Sequence, residues 1–151
     1  MADSSRPPDP PRRERAIPNE ELFLVNLRDA LRCRRCGLTP TRRDTYHRGF
    51  QYHHLVLWSE GGPNVAENLV LLCGRCHDLH HDGKVNDLPT VAGDPPASLT
   101  CHACGAQHDP RHLEVNCGWY RCPACRERVH LFDHFGYREE GGGSDTSSSM
   151  C

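Results

Sequence analysis

The residues of this chain best suited to chemistry are its histidines and cysteines, 11 and 10 of 151. Eight cysteines fall into four Cys-x-x-Cys pairs: Cys33/Cys36, Cys73/Cys76, Cys101/Cys104 and Cys122/Cys125. Two thiolates three positions apart on a tight turn can share one tetrahedral zinc, and two such turns complete a closed site. Proximity pairs Cys33/Cys36 with Cys73/Cys76, and Cys101/Cys104 with Cys122/Cys125. Two structural Zn²⁺ are therefore expected, with no open position for chemistry. A redox reading of the pairs would need a βαβ setting that the sequence lacks. Cys117 and Cys151 stand outside the pattern.

The histidines form a separate set. His77 and His81 are four apart, so on a helix they project from one face. With His53 they can hold one divalent ion through three imidazoles, which leaves room for water and substrate. His53 and His54 are adjacent on an expected strand, where successive side chains point to opposite faces. One of that pair is then a ligand and the other is free to move protons.

The elements that must carry these residues follow from periodicity. Leu24, Leu27 and Leu31 recur at helical spacing after Asn19, Glu20 and Glu21, which predicts a helix over 19–32 with Asn19 as its cap. Phe50 to Trp58 is aromatic and β-branched, and reads as a strand. Glu60 to Asn64 is a loop, Asn68 to Leu72 a short strand, and Cys76 to His81 a helix closed by Gly83. Further on, His112 to Val115 and Trp119 to Arg121 read as a hairpin around Asn116-Cys117-Gly118. The expected organisation is a disordered Pro/Arg-rich segment at 1–18, a first domain at 19–86, a linker at 87–99, a second module at 100–132, and an acidic, Gly/Ser-rich tail at 133–151.

Hydrophobic residues make up 36% of the chain, against 13 Gly and 12 Pro, so metals are expected to supplement a small core. No apolar run reaches the roughly 18–20 residues that cross a bilayer. Residues 1–15 lack the apolar centre of a secretory signal, so the expectation is a cytoplasmic protein with reduced thiols. The net charge of −2 averages over unlike regions. Arg28, Arg32, Arg34, Arg35, Arg42, Arg43 and Arg48 face only Asp29 and Asp44, a local excess of five positive charges. Arginine forks suit phosphate oxygens. Arg34, Arg35, Arg42, Arg43 and Arg48 are accordingly expected to bind nucleic acid.

The His53-His54 pair, Gly61-Gly62, the run Glu67-Asn68-Leu69-Val70-Leu71-Leu72-Cys73-Gly74-Arg75-Cys76-His77 and the flanking cysteines resemble the HNH (ββα-metal) endonuclease family. The likeness covers about residues 30–84 and is closest to the branch stapled by a four-cysteine zinc. It implies a small α+β fold, with a ββα-metal finger followed by a β-rich, zinc-ribbon-like C-terminal module. It also implies that His54 is the general base and that Asn68 fixes the loop. His53, His77 and His81 would then hold a catalytic divalent ion, Mg²⁺, Mn²⁺, Ni²⁺ or Zn²⁺. The residue before the base is often acidic in this family. Here it is His53, a form also found in nuclease colicins.

The function implied is metal-dependent hydrolysis of phosphodiester bonds in DNA, with an RNA substrate on the same scaffold left open. Products with 5′-phosphate and 3′-hydroxyl ends are implied by the resemblance alone. An imidazole ordinarily titrates near roughly 6.5, so it can serve as a base at neutral pH. The alternative is a non-catalytic, zinc-bound nucleic-acid-binding or adaptor module that retains the fold.

Overall fold

The computed structural model describes residues 16–39 and 50–137. The expectations for residues 1–15, for Arg42, Arg43 and Arg48, and for the tail beyond residue 137 lie outside them.

The first element, α1 (Asn19–Asp29), buries Phe23, Leu24, Val25, Asn26, Leu27 and Asp29. Asn19 is not its cap. The backbone N–H groups of Glu21 and Leu22 donate to the Pro18 carbonyl instead. The helix also stops three residues before the expected end. Ala30 (φ 54°) and Leu31 (φ 57°) are both left-handed. The N–H groups of Ala30 and Leu31 close on the Asn26 carbonyl. Only glycine adopts this backbone freely, so an Ala-Leu pair there gives no sequence signal for the stop. The turn seats Leu31 in the core, fully buried, and sends the chain into the first cysteine pair.

Next come β1 (Phe50–His54) and β2 (Leu69–Cys73), an antiparallel pair in which His53 faces Val70 and His54 faces Leu69. The strand expected to reach Trp58 ends at His54, and a 3₁₀ turn occupies Trp58–Glu60. A second 3₁₀ turn, Ala66–Asn68, leads into β2. All five residues of β2 are buried, as its continuous apolar run requires. Helix α2 (Gly74–His81) follows without a linker, beginning two residues before the expected start.

The C-terminal unit is built from short strands: β3 (Leu99–Thr100), β4 (Gln107–His108), β5 (Glu114–Asn116), β6 (Trp119–Arg121) and β7 (Arg128–His130). The expected hairpin is β5–β6, and β7 adds a third antiparallel strand. A short helix, α3 (Leu131–His134), buries Leu131 and Phe132. Residues 133–137 begin the expected tail, yet Tyr137 donates from its hydroxyl to the Ala30 carbonyl at 2.7 Å.

One hydrophobic cluster runs through both units, and α1 is its centre. Phe23 meets Tyr120 edge-on at 6.1 Å between centroids. The wholly buried Asn26 donates to the Tyr52 hydroxyl at 2.7 Å and to the Cys117 carbonyl at 2.9 Å. Both units thus share one apolar interior, which supplies the size that neither would have alone. Among the described residues no helix is long and apolar enough to cross a membrane.

Candidate functional site

Strand β1 carries both His53, which is buried, and His54, which is half-buried. His53 is 7% exposed and lies against α2, which presents His77 and His81 one turn apart. One ring nitrogen from each of His53, His77 and His81 lies within 4.8 Å of the other two, and the Nε2 atoms of His77 and His81 are 3.0 Å apart. Burial, ahead of the neighbouring His80, His77, His81 and His54, lowers the pKa of His53 from 6.5 to about 4. Burial likewise lowers that of His77, with His81 adding to the effect. Neutral imidazoles keep the lone pairs that a cation needs, so this donor set fits one divalent ion. His80, half-buried, lies beside this set. Its ring packs edge-on against His53 at 4.8 Å, with a buried Nδ1 that has no hydrogen-bond partner.

His54 shares with that set a cavity of about 330 Å³, lined by Tyr52, His53, His54, Leu57, Trp58, Ser59, His77 and His81. Its Nε2 is 2.7 Å from Oδ1 of Asn64. No sequence signal marks Asn64 as a partner of His54. Its position in a Pro-Asn loop promises a turn, not a partner ten residues back.

Asn68 holds the loop between these residues. Its Oδ1 accepts from the Val56 N–H at 2.8 Å, while its Nδ2 donates to the carbonyls of Val56 at 3.1 Å and Pro63 at 3.0 Å. The amide thus pairs with Val56 as a neighbouring strand would, beyond the point where β1 ends. Gly62 passes so close that a Cβ there would lie 1.7 Å from the Val56 carbonyl oxygen and 2.9 Å from Asn68 Nδ2. Helix α1 fixes the turn that carries Asn68: Glu21 accepts from the Ala66 N–H at 2.7 Å, and Arg28 donates to the Ala66 carbonyl at 2.6 Å. From the C-terminal unit, Arg111 bridges to Glu67 at 2.7 Å.

The cysteines gather as two sets of four, Cys33/Cys36/Cys73/Cys76 and Cys101/Cys104/Cys122/Cys125, each with its sulfurs within 4.8 Å of one another. Four thiols at that separation suit tetrahedral zinc. Three of the four turns are built alike. The N–H groups of Gly37, Gly105 and Arg126 each return to the carbonyl of the first cysteine in the pair, and all three residues have positive φ. The fourth turn, Cys73/Cys76, is the start of α2, where the Cys76 N–H approaches Cys73 Sγ at 3.5 Å. Burial works to raise the pKa of Cys33, but the backbone N–H groups of Cys36, Cys73 and Arg35 outweigh it and bring it to about 7. At Cys122 the Cys125 N–H is the largest influence. With help from Ala124 and His108, it lowers that thiol to about 6.

Of the arginines read as a phosphate patch, the two that are described, Arg34 and Arg35, have partners within the chain. Arg34 donates to Asp29 Oδ1 and to the Ala92 carbonyl, both at 2.7 Å. Arg35 reaches Asp87 at 2.6 Å and Cys76 Sγ at 3.5 Å. Arg28 closes a fork on both oxygens of Asp29 and also bonds the carbonyls of Leu69 and Gly93. The segment expected to be a linker is therefore fastened at Asp87, Ala92 and Gly93, and Ala92 is only 1% exposed.

Comparison with known proteins bears on the first unit. The HNH endonuclease family model matches residues 33–83. The anaredoxin of Nostoc sp. is 42% identical over 33 residues, which make up 22% of this chain and 43% of that protein. The match thus spans less than half the length of that curated relative. No solved structure matches the chain.

Proposed function

From an HNH domain at residues 33–83, we propose that this chain is a metal-dependent endonuclease that hydrolyses phosphodiester bonds in DNA. The observation that carries the reading is the convergence of His53, His77 and His81 around one point, beside a cavity that also presents His54. Those three imidazoles would hold a divalent ion. When bound, such an ion supplies a Lewis acid that stabilises charge on phosphate oxygens.

The chain's own residues do the rest. His54 takes a proton from a water molecule, which then attacks phosphorus in line with the leaving oxygen. Asn68 keeps the loop after β1 closed, so the imidazole of His54 stays aimed at the cavity. Trp58, with its ring centroid 6.4 Å from that of His54, walls the same space. The two cysteine sets, as closed zinc sites, hold the finger and the C-terminal unit in shape. That unit shares the core of the finger and clamps Glu67, which supports a scaffolding role for it.

The test is plasmid nicking by the full, zinc-loaded chain with Mg²⁺, Mn²⁺ or Ni²⁺, against the same protein with no divalent ion added. The expected result is cleavage with added metal and none without it. Binding without cleavage of any nucleic acid under any metal would replace this reading with a non-catalytic binding module.

A further inference from the structure

His54 needs more than a place in the cavity. A neutral imidazole carries one proton and one lone pair, and only the nitrogen with the lone pair can accept a proton. Which nitrogen that is depends on what the other one bonds. Here Nε2 lies 2.7 Å from Oδ1 of Asn64. An amide oxygen only accepts, so this contact is a hydrogen bond only if Nε2 carries the proton.

The Asn64 amide has a second contact, at the limit of hydrogen-bond distance. Its Nδ2 donates to the Ala16 carbonyl at 3.4 Å, which leaves Oδ1 on the His54 side. The preceding residue is anchored too, since the Pro63 carbonyl accepts from Asn68 Nδ2. Gly62, one position further back, donates from its backbone to the Leu57 carbonyl at 2.9 Å. A continuous series of contacts thus runs from Asn68 through the Gly62-Pro63-Asn64 corner to the imidazole of His54.

We propose that Asn64 is a positioning residue for His54, holding it in the Nε2–H tautomer so that Nδ1 is the nitrogen that accepts the proton. The assignment rests on the nuclease reading for its catalytic consequence, but its structural content can be read without any cleavage. Asn64 also resolves a question that Asn68 leaves open: Asn68 fixes the loop, and Asn64 fixes the ring.

The experiment is long-range proton–nitrogen correlation NMR on the full chain at mildly alkaline pH, with His54 signals identified by their loss in His54→Gln. Wild type should show the proton on Nε2. Asn64→Leu, similar in size but without an acceptor, should populate both tautomers. Asn64→Asp, which keeps an oxygen in place, should restore the Nε2–H form. In plasmid nicking with Mn²⁺, Asn64→Leu should lower kcat by about 10- to 100-fold with little change in KM, part of the range ascribed to a positioned base.

An unchanged tautomer in Asn64→Leu overturns the proposal, even if activity falls, because a merely structural role would give that pattern. A changed tautomer in a protein that cuts nothing supports the Asn64 assignment and removes the nuclease reading. Cleavage by wild type with an unaltered tautomer in the variant does the reverse.

Discussion

The carboxylate of Asp29, with none of its side chain exposed, accepts a hydrogen bond from Arg34 at 2.7 Å while the fork of Arg28 closes on both its oxygens. Its Oδ2 also takes the N–H of Leu71 from the middle of β2, at 3.0 Å. One carboxylate therefore joins α1, the first cysteine turn and the central strand. Removing one member of a buried, hydrogen-bonded charge set leaves the others uncompensated. Asp29→Ala is expected to cost about 3–5 kcal/mol in urea unfolding. Arg34→Ala should likewise reduce stability while leaving the salt dependence of plasmid binding where it was. A flatter salt dependence in Arg34→Ala would show that its guanidinium contacts phosphate after all.

Gly62→Ala probes the loop clamp. A methyl group 1.7 Å from the Val56 carbonyl forces the backbone apart at the point where Asn68 pairs with Val56. The expected loss is about 1–3 kcal/mol of stability, the range for overpacking a tight site. Activity should fall further than stability explains, because His54 loses its orientation while the zinc content stays the same. Full activity in this variant would mean that the corner can move freely without consequence.

Acid sensitivity follows from His53. Its imidazole titrates at about 4 in the fold, against an ordinary value near 6.5. Between those values the unfolded chain binds more protons. The stability contributed by neutral His53 is therefore complete above about 6.5 and is lost as pH falls through about 4. His53→Gln should flatten this part of the stability profile, with the wild type minus variant difference cancelling any acid release of zinc. An identical slope in both proteins would contradict the burial-driven shift.

Metal removal tests the cysteine sets. Two four-sulfur clusters predict two tightly held zinc ions per chain, measured by elemental analysis after dialysis. Each site can contribute on the order of 10 kcal/mol to folding. A strong chelator should therefore unfold the protein, seen as loss of far-ultraviolet circular dichroism. Retention of structure without zinc would mean that the shared core around α1 suffices.

The chemistry-bearing residues were legible because ligand chemistry dictates spacing: three-residue gaps for thiolate turns, four for two histidines on a helix face. The structure brings together every cysteine and histidine set read in this way. Charge follows no such spacing rule. An arginine looks the same whether it meets a phosphate or a carbonyl 65 positions away, as Arg28 meets Gly93. Asn64 was invisible for the same reason, since its partner is fixed by the folded corner and not by any period. The strands β3, β4 and β7 are two or three residues long, too short to show an alternation. The end of α1 carries no sequence signal, because Ala30 and Leu31 take a backbone usually signalled by glycine.

As the proposed base, His54 would move the proton in metal-dependent phosphodiester cleavage. The most direct measurement compares plasmid nicking by wild type and His54→Ala, at equal zinc content and with Mn²⁺ supplied. The expected result is cleavage by wild type and a reduction of at least ~100-fold in the variant, the scale of losing a general base. Equal rates in the two proteins would rule out His54 as the base.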